Sequence, residues 1–223
     1  MTEGTALGPH LVAKRVDQID LDNWTQVETA FDGAQVVVSG QPWLPVREVG
    51  FRPMQVAVRW TADALYVYAQ LEDEDIFNPE STFNAPSFIC GDVFEMFLRP
   101  LGQDAYTEIH VNPVNQKFQL QFPSARHFQE NRGHLPAEWY IWDPQIESRV
   151  QVEPDRQVWC VLAEVPFALV CTDRKVQTGD RWLFSFSRYD YTHGQSRPVL
   201  STTSAHGVAN FHRQTDWGEL LFA

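Results

Sequence analysis

Two short segments of this 223-residue chain place hydrogen-bonding side chains on an every-other-residue spacing. Gly91-Asp92-Val93-Phe94-Glu95-Met96-Phe97-Leu98 carries Glu95 between apolar neighbours. Tyr106-Thr107-Glu108-Ile109-His110-Val111-Asn112 carries Glu108, His110 and Asn112 two residues apart. Alternation of this kind marks a strand, whose successive side chains point to opposite faces. Phe94, Met96 and Leu98 then form one face of the first segment, and Thr107, Ile109 and Val111 one face of the second. Paired as neighbours, the two segments bring Glu95, Glu108, His110 and Asn112 onto one polar face flanked by Phe97 and Tyr106, to which the next segment adds Lys117, Gln119 and Gln121. Carboxylates accept, imidazole and amides donate or accept, and rings offer flat apolar surface. That set suits a polyhydroxylated ligand such as a sugar. The same residues also read as a solvated sheet face with ordinary cross-strand polar pairs.

Other candidates are more isolated. Arg188-Tyr189-Asp190 ends an apolar alternation, Trp182, Phe184 and Phe186, that puts Arg188 on the inward register. A guanidinium there needs a partner. It either pairs with Glu95 or Asp92 as a structural ion pair, or turns its planar fork toward ligand oxygens. Near the C-terminus, Phe211-His212-Arg213 follows a glycine-containing loop, 204–210, able to move over a ligand. Phe211 reads as an aromatic platform or as a plug for one end of the fold, and Trp217-Gly218 as an anchor for the last strand. The acidic run Glu72-Asp73-Glu74-Asp75 offers Asp73 and Asp75 as weak candidates for a structural calcium, which takes several oxygen ligands from a curved loop. The alternative is a solvated acid run. The seven histidines show no H-E-x-x-H or i, i+4 pair, and no G-x-S-x-G occurs. Glu95 and Glu108 can be drawn as the carboxylate pair of a glycoside hydrolase, but sequence does not fix their separation.

Positioning these groups falls to strands. Met54 to Trp60 and Leu65 to Leu71 alternate on either side of a turn at Ala62-Asp63 and read as a hairpin. Further strands are expected over 93–99, 106–112, 116–122, 145–153, 157–165, 181–189 and 219–222, with turns at Gly102-Gln103-Asp104, Pro154-Asp155-Arg156 and Thr178-Gly179-Asp180. The one helical stretch expected is 166–170, proline in the first turn, and helix should stay below about a tenth of the chain. Many short strands with little helix predict an all-β, two-sheet antiparallel β-sandwich, jelly-roll-like or immunoglobulin-like, forming one domain over 1–223. Two long aromatic-rich segments, 77–91 and 123–144, are expected to pack over a sheet or rim a groove.

Bulk composition narrows the partners. Hydrophobic residues make up 43% of the chain and aromatics 13%, which is enough for a packed core. A net charge of −12 disfavours nucleic acid and anionic membrane surfaces, both of which select clustered Lys and Arg. Cys90, Cys160 and Cys171 form no C-x-x-C, so neither a disulfide framework nor a zinc knuckle is signalled; Cys160 reads as a small buried hydrophobe. The first ten residues lack a basic and then apolar leader, so the chain as written is expected to be cytoplasmic, with secreted relatives an open alternative.

Five segments in order resemble one family. They are the acidic Asp92-Val93-Phe94-Glu95-Met96-Phe97-Leu98, the strand Tyr106 to Asn112, the Trp159 to Phe167 strand, Arg188-Tyr189-Asp190, and the ending Phe211-His212-Arg213-Gln214-Thr215-Asp216-Trp217-Gly218-Glu219-Leu220. Together, from about Val56 onward, they resemble carbohydrate-binding module family 9, within the broader DOMON-type β-sandwiches. The resemblance implies sugar binding on the face described above. Glu95 matches the family's hydroxyl-accepting glutamate, His110 falls where the family has a basic donor, and Phe211 falls where a C-terminal ring closes the sugar slot in place of tryptophan. Beside these, Asn112, Arg188 and His212 complete the implied set. The family's opposing tryptophan is absent; Phe88 or Ile89 stands there, and Leu162 replaces the glutamate after Trp159. The implied function is non-catalytic binding of a xylan- or cellulose-type oligosaccharide in carbohydrate catabolism. The alternatives are a haem-binding DOMON-type domain, for which Met54 and Met96 are the candidate sulfur ligands, a glycan-active hydrolase, and an accessory interaction domain.

Overall fold

The computed structural model describes residues 8–170 and 174–223. Cys171, and most of the N-terminal stretch read for a leader, lie outside the described residues. Twelve strands carry the fold: β1 His10–Arg15, β2 Val36–Val38, β3 Met54–Trp60, β4 Ala64–Glu72, β5 Val93–Pro100, β6 Tyr106–Val111, β7 Lys117–Phe122, β8 Glu147–Glu153, β9 Val158–Pro166, β10 Arg181–Asp190, β11 Val199–Thr202 and β12 Gly218–Phe222. Hydrogen bonding runs continuously in the order β7-β6-β5-β10-β12-β1-β3-β4-β9-β8, with β11 beside β10 and β2 beside β3.

The expected hairpin is β3–β4, with Val58 opposite Val67. Its turn is held by Thr61, whose N–H donates to the Ala64 carbonyl at 2.9 Å while its hydroxyl accepts from Ala64 N at 3.3 Å. Side-chain turn bonds of this type explain why threonine precedes Ala62-Asp63. β5 and β6 also pair as expected, Met96 opposite Ile109.

The purely antiparallel expectation is corrected by β1. Its first half runs parallel to β12, with His10 opposite Glu219, and its last two residues run parallel to β3, with Lys14 opposite Arg59. One strand thereby joins the two halves of the sheet, which is curled and mixed, not purely antiparallel. β1 is hard to read in sequence because only Leu11 and Ala13 alternate inward. Helix also exceeds the expected tenth, at 14%, because α1 Trp24–Phe31 and α2 Ala125–Glu130 join α3 Phe167–Val170 and four 3-10 turns of three residues each add to them. Asn23 caps α1 by accepting from Gln26 N at 3.2 Å. At its other end Arg59 donates to the carbonyls of Ala30 and Asp32, both at 2.9 Å, satisfying groups the helix leaves unpaired.

The curl lets both halves of the sheet share one apolar cluster, Met54, Val56, Val58 and Val67 from one half with Phe94, Met96, Phe184 and Phe186 from the other. Met54 and Met96 are fully buried in it, and Cys160 is buried on the other face of β9, its Sγ 3.9 Å from the Tyr68 hydroxyl. A second cluster lies on the opposite face of β5, β6, β7 and β10, around Phe97, Tyr106, Phe118, Phe122, Phe211 and Trp217. The candidate site opens within this second cluster.

Candidate functional site

The alternation of β5 and β6 dictates what faces this second cluster. Glu95 lies directly opposite His110, and Phe97 opposite Glu108. On β7, Phe118 is opposite His110 and Leu120 opposite Glu108. Directly opposed residues share a face, so β7 contributes Phe118, Leu120 and Phe122 here, not the expected Lys117, Gln119 and Gln121. Gln119 turns away and holds the loop before β8, accepting from Ile146 N at 2.8 Å.

A cavity of about 610 Å³ sits over this face. Its floor is Glu95, Glu108 and His110. Aromatic walls come from Phe88, Tyr140 and Tyr189, and the loop carrying Phe211 and His212 closes one side. Both long loops rim it as expected, the first through Phe88 and the second through Phe128, Arg132 and Tyr140.

The floor is a contiguous polar chain. His110 Nε2 lies 3.1 Å from Glu95 Oε1 and 2.6 Å from Glu108 Oε1. Glu108 Oε2 lies 3.6 Å from His212 Nε2, and His212 Nδ1 is 2.9 Å from the Tyr106 hydroxyl. The His212 ring stacks on Phe128 with centroids 3.5 Å apart. Side-chain exposures of 4% for Glu95, 7% for Glu108 and 1% for His110 put these groups in a medium where charge is costly. Burial pushes Glu95 up to about 8, the adjacent Glu108 adding to the rise and His110 opposing it. Against burial, His212 and His110 hold Glu108 below the usual carboxylate range. Burial opposes protonation of His110 too, yet the two carboxylates raise it. His212 is pushed down to about 4 by burial, despite Glu108. The environment thus pushes two neighbouring carboxyls apart, Glu95 upward and Glu108 downward, with His110 between them. Glu95 Oε2 and Glu108 Oε2 remain buried with no hydrogen-bond donor, an expensive state that a bound donor relieves.

Of the residues singled out in sequence, Glu95, His110, Phe88, Phe211 and His212 line the cavity. Arg188 does not. It lies opposite Phe94, a core residue, and emerges on the other face of the sheet. There its Nη2 donates to Asp73 Oδ2 at 2.7 Å and lies 3.1 Å from Asp190 Oδ2, while Nη1 donates to the Glu72 carbonyl. Its partners are therefore Asp73 and Asp190, neither Glu95 nor Asp92. Asn112 is also outside the cavity. It ties loops together, donating to the Glu80 carbonyl at 2.8 Å and accepting from Gln116 N at 2.8 Å. The acidic run splits: Asp75 faces His193, at 2.9 Å, whereas Asp73, Asp92 and Asp190 form one buried carboxylate cluster, which Arg188 enters through Asp73 and Asp190. Arg188 supplies the cation that those three buried carboxylates need. Gly91 lets this knot close, since a Cβ there would fall 2.6 Å from the Phe77 carbonyl oxygen, next to the bond from Phe77 N to Asp92 Oδ2 at 2.7 Å.

Tyr189 was missed in sequence, whereas Tyr140 lies in 123–144, one of the two aromatic-rich segments expected to pack over a sheet or rim a groove. The signal for Tyr189 was the parity of β10: Ser187 sits opposite Glu95 and Tyr189 opposite Val93, so Tyr189 shares the face of Glu95 while Arg188 cannot. Within that segment no periodicity singles out Tyr140, which a loop delivers.

No family model matches the sequence, and no curated protein matches it. Solved structures do match. A candidate carbohydrate-binding protein from Bacteroides uniformis superposes with a TM-score of 0.72 at 14% identity, over 97% of this chain and 100% of that one. A carbohydrate-binding module of family 9 from Caldicellulosiruptor kristjanssonii, in complex with cellotriose, gives 0.62 at 14% identity over 96% and 93% of the two chains. The same kind of module from that organism in complex with glucose gives 0.64 at 14% identity, over 96% of each. At that identity the likeness is one of architecture: the chain has the fold of carbohydrate-binding module family 9 domains.

Proposed function

We propose that this protein binds carbohydrate without cleaving it, seating a sugar unit of a cellulose- or xylan-type oligosaccharide in the cavity above Glu95, Glu108 and His110, in the service of carbohydrate catabolism. The observation that carries the reading is the composition of that cavity. At about 610 Å³ it falls within the roughly 300–1,000 Å³ of small-molecule sites. Its floor holds two buried carboxylate oxygens that lack donors, and sugar hydroxyls are donors. Its walls hold the half-buried rings of Phe88, Tyr140 and Tyr189, against which the C–H face of a pyranose packs. The family resemblance in the sequence and the shared fold support the same reading.

Calorimetric titration of the protein with glucose, cello-oligosaccharides and xylo-oligosaccharides tests it. Saturable binding of one series at one site per chain is expected, with no release of reducing ends on prolonged incubation. Absence of heat with every sugar of a wider glycan panel would rule it out, and release of reducing ends would replace it with a hydrolase.

A further inference from the structure

We infer that Glu95, Glu108 and His110 form a binding site for one divalent transition-metal ion of the zinc class at the floor of the cavity. This goes beyond the sugar reading and stands on the floor geometry alone. Three side chains from two paired strands converge there, each offering one ligand atom, and these atoms lie within 4.8 Å of one another. Zinc bonds of about 2.0–2.2 Å place neighbouring donors of a tetrahedron roughly 3.3 Å apart. The separations of His110 Nε2 from the two carboxylates, 3.1 and 2.6 Å, would open by about 0.2 and 0.7 Å to receive an ion.

A second observation is independent of that spacing. Each glutamate keeps one buried oxygen, Oε2, with no hydrogen-bond donor. Among the described residues neither carboxylate has a Lys or Arg ion partner; histidines alone face them. The Asp73, Asp92 and Asp190 cluster on the other side of the sheet is different, because Arg188 fills it. Two carboxylates and one imidazole are a mixed oxygen and nitrogen set. That favours zinc or a neighbouring transition metal over calcium, which takes six to eight oxygens. Next to this set, His212 Nε2 is 3.6 Å from Glu108 Oε2 and its Nδ1 is fixed by the Tyr106 hydroxyl, so that it orients Glu108 from outside the three ligands. Any position left open faces the cavity, where a neighbouring pair of sugar hydroxyls could occupy it.

The test uses the metal alone, so that its failure and the failure of the sugar reading are separate. Purified full-length protein is stripped with chelator, dialysed, and titrated with Zn²⁺ by calorimetry. Binding of one equivalent is expected, weakened at least tenfold in Glu108→Gln and in His110→Gln, and unchanged in His134→Gln, which probes an exposed histidine at the cavity mouth. Because the floor variants can also unfold, Co²⁺ is added to the wild type as a spectroscopic stand-in. A visible d–d band stronger than that of the aquo ion, removed by one equivalent of Zn²⁺, is expected. Failure of folded wild type to bind Zn²⁺, an aquo-like cobalt spectrum, or undiminished binding by folded Glu108→Gln and His110→Gln would overturn the inference.

Discussion

Arg188 and Asp73 meet at 2.7 Å, with side-chain exposures of 0% and 1%. Their elements are separated by more than a hundred residues, and the contact locks the end of β4 to the end of β10. Removing one partner of a buried pair strands the other charge, at a cost of about 3–5 kcal/mol. Arg188→Met is therefore expected to lower unfolding free energy by that amount in urea titrations. Variant protein that remains folded should still bind sugar, since Arg188 lies across the sheet from the cavity. An unchanged urea midpoint would contradict the ion-pair role, and selective loss of sugar affinity would return Arg188 to the site.

The placement of Phe211 changes what its truncation should do. As an open platform it could be removed with little effect on stability. In the structure it is 6% exposed and touches the rings of Trp43, Phe97 and Tyr189 at centroid distances of 6.2, 6.5 and 6.0 Å. Its carbonyl also accepts the Trp217 indole N–H at 2.8 Å. Phe211→Ala is expected to cost about 3–5 kcal/mol of stability, as for other buried phenylalanines, alongside any loss of binding. A melting temperature within a degree or two of wild type would show that the ring is not part of the core.

Phe88 is the better place to isolate stacking. Its ring is half-buried at the cavity edge and meets His110 edge-on at 5.7 Å. Aromatic stacking contributes about 0.5–1.5 kcal/mol beyond area burial, so Phe88→Ala should weaken oligosaccharide binding by up to roughly tenfold. Calorimetry on variant protein with an unshifted melting curve checks this. Affinity equal to wild type would remove Phe88 from the wall.

His206 predicts an acid limb in stability. It is fully buried, neither ring nitrogen has a hydrogen-bond partner, and the charged groups facing it are Asp216 and Arg213. Burial holds it below the ordinary histidine value of 6.5, the Asp216 carboxylate opposing that shift. A folded-state value below the unfolded one means stabilisation that is complete above pH 6.5 and is lost as pH falls beneath it. Glu95, pushed up to about 8 by burial, and His110, raised against burial by its two carboxylates, act in the opposite sense, so the readout is the difference between two proteins. The urea midpoint of His206→Gln should gain on that of wild type as pH falls from 7 to 5. His212, pushed down to about 4 by burial, works in the same direction as His206 but is common to both proteins and leaves their difference to His206. Identical slopes for the two proteins would refute the assignment to His206.

The parts of this molecule legible in sequence are those where one period dominates. Alternation in β3, β4, β5 and β6 is strict because one face packs in the core, and so the pairing of Glu95 with His110 followed from parity alone. β7 misled because Phe118, Leu120 and Phe122 alternate with polar Lys117, Gln119 and Gln121, and both faces of that strand are covered, one by the cavity and one by the loop that Gln119 holds. Arg188 was legible as inward-facing from Trp182, Phe184 and Phe186, but inward means the core face, opposite to that of Glu95. Its partner Asp73 is remote in sequence, and no local pattern could name it. β1 was lost because six residues with two inward side chains carry little signal, and its parallel pairing is purely tertiary. The ring of Tyr140 arrives from a loop, where periodicity has nothing to say.

The central claim is that a sugar sits on the floor made by Glu95, Glu108 and His110. A crystal structure of the protein soaked with cellotriose or xylotriose tests it most directly. Density is expected for a pyranose ring within hydrogen-bonding distance of Glu95 and Glu108, with a C–H face against Phe88, Tyr140 or Tyr189. A sugar bound elsewhere on the surface, while this cavity holds only solvent at saturating ligand, would contradict it.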